Sequence, residues 1–207
     1  MKSIRMKRLR FLSAIAALAM LGGCSILPKQ QDMTIHSALS HVAPEPSWPQ
    51  VRTQLVIARP TAERMLADPR IVVRPTPGEL QVYHGAVWAE PPPEMVQRSV
   101  LQVLEDSGRL KGVAVRGGDI NGDFNLAMDI RRFDSDYAGG ATPNAVVEIA
   151  ARVVSNDGSV IAYRLFHAEA PASSAAVPAV AQAFQQALAK DSADIAGWAL
   201  GAMANRR

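Results

Sequence analysis

The 207-residue chain has a single cysteine, Cys24. An internal disulfide is therefore excluded, and the fold must rest on a hydrophobic core. The sequence has no G-x-S-x-G elbow and no H-E-x-x-H pair, which removes two common hydrolase layouts. The glycine-rich stretch "GRLKGVAVRGG", residues 108–118, matches neither the phosphate loop nor the dinucleotide fingerprint. No internal repeat is visible. The longest apolar run, "FLSAIAALAMLGG", is about 13 residues, short of the about 20 that a membrane-spanning helix needs.

That run follows "MKSIRMKRLR", which carries Lys2, Arg5, Lys7, Arg8 and Arg10 and no acid. A basic start, a short apolar segment and small residues before a cleavage point describe an export signal over residues 1–23. The segment ends "LGGC", which resembles the bacterial lipobox. Cys24 is then the expected lipidation site, carrying a diacylglyceryl group on sulfur and an acyl group on its freed amine. One acyl chain anchors marginally and several anchor stably. In enteric-type bacteria an Asp after the cysteine favours the inner membrane, so Ser25 points to the outer membrane, with the domain facing the periplasm. Removing residues 1–23 takes five cations from the 22 Lys plus Arg. That leaves 17 against 19 acids, a net charge of about −2. The basic pI of the whole chain thus belongs to its leader, and a nucleic-acid-binding reading loses its support.

Residues 24–50 read as the lipidated cysteine and a flexible tether. Pro28, Pro44, Pro46 and Pro49 interrupt helix and central strand alike. Trp48 alone argues that the end of this stretch packs against the domain edge. Residues 51–204 read as one domain. "VRTQLVIARP" is a buried strand, "TAERMLADP" a helix of at most two turns, and "RIVVRP" with "LQVYHGAVWAE" a hairpin. "PPPEMVQRSVLQVLEDSG" is an amphipathic helix opened by proline and closed by Gly108. "LKGVAVRG", "DFNLAMDIRRFDSDY", "AVVEIAARVV" and "VIAYRLFHAEA" are strands, the last two joined by "SNDGS". In the last strand Ile161, Tyr163 and Leu165 share a face. A long helix over about 174–204 carries a stripe of Val177, Val180, Phe184, Leu188, Ile195 and Trp198, with Lys190, Asp191 and Asp194 on other faces or at a kink. The expected fold class is α+β: a mixed, mostly antiparallel sheet with two amphipathic helices on one face, a two-layer sandwich.

Candidate chemistry is sparse. His36 and His41 stand in the tether without a Cys or paired acid, and His84 and His167 lie in strands. Asp119, Asn121 and Asp123 suggest calcium, but glycine falls at the fourth position and Ile130 where a bidentate Glu belongs. Asp134 and Asp136 read as solvated neighbours at a strand end. No catalytic residue, metal site or dissociable cofactor is expected. Tyr83, Trp88 and Tyr137 are the candidate partner-interface residues, since large aromatics anchor interfaces. The plainer role for Trp88 is to fill the core.

The ordered set of lipobox, Arg70-Ile71, Trp88 to Pro91, Arg132-Phe133, Asp157-Gly158 and a C-terminal Ala-rich helix closing on Trp198 resembles the ABC-type transport auxiliary lipoprotein family. That family includes the lipoprotein of the paraquat-inducible (Pqi) intermembrane transport system. The resemblance implies a non-catalytic accessory subunit working beside an MCE-domain periplasmic protein and its permease or ABC transporter, in lipid transport between membranes. It also implies a homo-oligomer ring. A second class of function fits the same residues: an independent envelope lipoprotein that holds an apolar ligand or assists complex assembly. A carrier needs a sizeable apolar pocket between sheet and helices. An accessory subunit needs a filled core and an adhesive outer surface.

Overall fold

The computed structural model describes residues 32–118 and 121–206, and Met33–Arg207 form one unit. The expected export signal over 1–23 and Cys24 lie outside the described residues. The elements in chain order are β1 (Thr34–His36), β2 (Gln54–Ile57), β3 (Thr61–Ala62), β4 (Arg70–Arg74), β5 (Gln81–Trp88), α1 (Pro92–Ser107), β6 (Gly112–Val115), β7 (Phe124–Asp136), β8 (Asn144–Ser155), β9 (Val160–Pro171) and α2 (Val177–Ala204).

The 13-residue β7 is the spine of a nine-stranded sheet. Along one flank it pairs in turn with β2, β3 and β4, all parallel. β2 leads outward to β6, and β4 to β5 and then β1. Its other flank runs antiparallel to β8, which runs antiparallel to β9. The two longest ladders are antiparallel, and the mixed α+β sandwich is the observed fold. Alternation places Ala145, Val147, Ile149, Ala151 and Val153 of β8 in the core.

Both helices close this apolar face. α1 starts with prolines in its first turn and stops at Gly108, whose φ of 58° is left-handed. It buries Met95, Val96, Val100, Val103 and Leu104. α2 packs on β8 and β9 and on α1. At its start Phe184 stacks on Phe133 at 4.9 Å and meets Trp88 edge-on at 5.1 Å. Each such aromatic pair contributes about 0.5–1.5 kcal/mol beyond area burial.

Three expectations change. The stretch after Pro60 is not a helix. Thr61 bonds Asp129 on β7 at 2.7 Å instead of capping, Thr61–Ala62 join the sheet, and turns lead to Pro69. Second, the domain begins well before residue 51. β1 adds to β5, Ala38 is fully buried, and Trp48 lies over α2. Prolines forbid regular structure there but do not prevent an irregular strap from burying apolar side chains. Third, the β8–β9 pairing shifts at Val153/Val154 and leaves Ile161 without a partner. Ile161 packs against the core, whereas Tyr163 and Leu165 are 60% and 50% exposed on the far face.

Candidate functional site

The three aromatic candidates do not form one surface. Trp88 is 2% exposed, clamped between Phe133 and Phe184. It is a core residue and cannot anchor a partner. Tyr83 is half-buried and its hydroxyl lies 3.0 Å from Ser135 Oγ. Burial pushes its pKa up, so it remains a neutral phenol. Tyr137 is half-buried where β7 ends, and its N–H donates to the Arg74 carbonyl at 3.0 Å.

Asp134 and Asp136 are not a solvated pair. Asp134 is 1% exposed and accepts from Arg132 at 2.7 and 3.1 Å and from Arg74 Nε at 3.4 Å. Asp136 accepts from Arg132 at 2.6 Å. Burial pushes the Asp136 pKa up, but the Arg132 bond and the Ala138 N–H outweigh it and hold the carboxyl below its usual range. The Asp134 bond strengthens the Arg132 cation in turn. This network lies across β4 and β7, on the face of β7 opposite Phe133. On the same outer face His167 meets Glu148 at 3.3 Å and Glu169 at 2.9 Å. The four histidines stay apart: His41 is 3.6 Å from Asp106, and His84 is exposed on β5. Among the described residues no group of three or more His, Cys, Asp or Glu has metal-binding geometry.

Two features escape a reading of the sequence alone. The first is an open sheet edge. Among the described residues β9 pairs only with β8, so one of its sides is an edge 12 residues long with no strand on it, a template for strand addition. It carries exposed Val160, Tyr163 and Leu165, while β1 at the far side of the sheet carries exposed Ile35 next to Met33. The second feature is Asp191, fully buried in α2 with neither carboxylate oxygen hydrogen-bonded. The sequence holds one signal for it, since Phe184, Leu188, Asp191 and Ile195 keep the i, i+4, i+7, i+11 spacing of one helix face. Charge alone suggested an outward face.

Two clefts on the described surface are open and polar. One of about 250 Å³ is lined by Glu45, Trp48, Arg164, Asp194 and Trp198. Another of about 430 Å³ is lined by Arg52, Asp123, Asp157 and Arg206. Between sheet and helices the space is filled by Leu55, Ile57, Met95, Phe133, Ile149, Phe184 and Leu188, all 1% exposed or less. Among the described residues no helix is long and apolar enough to cross a membrane.

A family model described as the ABC-type transport auxiliary lipoprotein component matches residues 34–196. Among solved structures, protein XCC0632 from Xanthomonas campestris is 46% identical, with a TM-score of 0.80 over 83% of this chain and 97% of that one. A second crystal structure, 18% identical with a TM-score of 0.58, covers 75% of this chain and 97% of that chain, and shares the fold. The Bradyrhizobium diazoefficiens protein bll6063 is 27% identical over 154 residues, 74% of this chain. The chain spans 41% of the length of that curated relative.

Proposed function

The chain belongs to the ABC-type transport auxiliary lipoprotein family, and on that premise we propose that it is the lipid-anchored, non-catalytic accessory subunit of an MCE-linked system that moves lipids between membranes. The observation that carries this reading is the pairing of a filled core with an adhesive rim. A lipid carrier of this architecture would hold its cargo between sheet and helices, and Phe133, Phe184, Leu188 and Ile149 occupy that space. The exposed β9 edge with Tyr163 and Leu165 instead suits docking on a strand-rich partner.

Cys24 supplies the membrane end. With the anchor at the outer membrane and the domain facing the periplasm, tethering raises its effective concentration for a partner at that membrane.

The test is a mild-detergent pull-down of the C-terminally tagged full chain, with mass spectrometry of captured proteins and extracted lipids. The expected result is an MCE-domain protein or its permease in the wild-type capture, lost or weakened with Cys24→Ala. Capture of stoichiometric lipid without a protein partner would replace this reading with an independent carrier. The same Cys24→Ala chain should leave the membrane fraction and appear in the soluble periplasmic fraction.

A further inference from the structure

Asp191 is unusual in its setting. It stands in the middle of α2, on the face that carries Phe184, Leu188 and Ile195, and is fully buried. Neither oxygen has a hydrogen-bond donor. A buried carboxylate without a partner is costly, and such a group normally stays protonated.

None of the described charged groups around it is hydrogen-bonded to it. On α2 itself, Lys190 is paired with Asp194 at 2.6 Å. From β9, His167 is held by Glu148 and Glu169, and Arg164 lies over the Phe166 ring at 5.1 Å. From β8 the nearby charge is Glu148, of the same sign as Asp191. From α1 the buried face presents Ser99 with apolar neighbours, and Ser99 is bonded to Ser192 at 2.7 Å. β7 contributes the apolar side chains Met128, Ile130 and Phe133 to the core. Burial first, then the Asp194 charge, pushes the Asp191 carboxyl up to about 7.

The helix around Asp191 is also held by few polar ties. Its N-terminus has no side-chain cap. Gly197 and Gly201 interrupt its second half, each costing about 1 kcal/mol of helix propensity relative to Ala. A strap formed by residues 37–48 crosses it. Ser40 donates to the Gln185 carbonyl, Gln185 donates to the Ser37 carbonyl, and Trp48 lies flush on Gly197.

We propose that docking of α2 and its strap onto the sheet is proton-linked through Asp191. The protonated carboxyl is compatible with the apolar seat, and loss of its proton favours release of the segment around residues 185–201. Release uncovers the β8–β9 side chains beneath the helix, including Ile149, Phe166 and Ala168. The N-terminal strap, which continues in sequence toward Cys24, is freed at the same step.

The sign follows from linkage. An acid raised from an ordinary 3.8 to about 7 binds more protons folded than unfolded. Its full stabilising effect is present below about pH 4 and is lost as pH rises to about 7. The opening constant should rise by up to about tenfold per pH unit between pH 5 and 7, then level off.

The test uses the full chain in detergent, with hydrogen exchange of residues 185–201 from pH 5 to 8.5 corrected for intrinsic exchange rates. The expected result is a loss of protection with rising pH in wild type and a flat profile in Asp191→Asn. Asp191→Leu serves the same purpose if the Asn variant does not fold. His167→Gln should keep the wild-type slope. The same slope in the Asp191 variant that folds as in wild type, or its disappearance in His167→Gln alone, would overturn the proposal.

Discussion

The two helices close one sheet by different means. α1 is a 16-residue amphipathic helix with a polar outer face. Its Val, Met and Leu stripe points one way, its first turn begins with prolines, and its end is set by Gly108. α2 is 28 residues long, rich in alanine, and buries residues around much of its circumference because α1, the sheet and the N-terminal strap all touch it. Local signals define α1 almost completely. α2 depends on what surrounds it, which is why it can hold a buried Asp191 and a glycine under an indole. A helix with three neighbours can tolerate poor local chemistry if its neighbours supply the contacts.

The comparison can be broken most severely at the aromatic anchor of α2. Phe184→Ala removes the ring stacked on Phe133 and set edge-on to Trp88. It should lower unfolding free energy by about 3–5 kcal/mol, read as a fall in the urea midpoint.

Next in size is Gly197→Ala. A methyl there would sit 2.6 Å from Trp48 Nε1. The strap must lift, so a loss of about 1–3 kcal/mol is expected despite the gain in helix propensity. Trp48 should become more accessible to a soluble quencher in that variant. An unchanged midpoint and unchanged quenching would mean that the strap does not load α2.

The smallest effects compare glycines whose added methyl would meet open space. Gly201 lies inside α2 with nothing within 4 Å, so Gly201→Ala should stabilise by about 1 kcal/mol. Gly108 also has open space, but its φ of 58° is strained for any side chain. Gly108→Ala should therefore destabilise by about 1 kcal/mol. Thermal midpoints should shift in opposite directions, because backbone conformation and not contact sets the sign at these two glycines.

Much of this was legible in advance where chemistry is local. The proline opening and glycine stop of α1, the alternation along β8 and the Asp157-Gly158 turn each act within a few residues. The strap was harder to see because Pro44 and Pro46 interrupt any periodic signal, while Ala38 and Trp48 are buried by irregular contacts. β9 was read as simple alternation, and a one-residue irregularity at Ile161 turned Tyr163 and Leu165 outward. Of the aromatic candidates, Trp88 took the plainer of its two roles and fills the core; residue type records hydrophobicity and size, not which side of a sheet receives them.

By itself the sequence determined the class of this protein. The strand and helix order from β4 onward and the family pattern are written in short segments, because turns, caps and alternation are near-neighbour physics. Only the tertiary structure decided three further matters. It made β7 the spine by pairing it with strands distant in the chain, and it left β9 as an open edge. It also placed Asp191 in an apolar seat away from solvent. Each depends on long-range packing, where burial is a property of the assembled layers rather than of the residue.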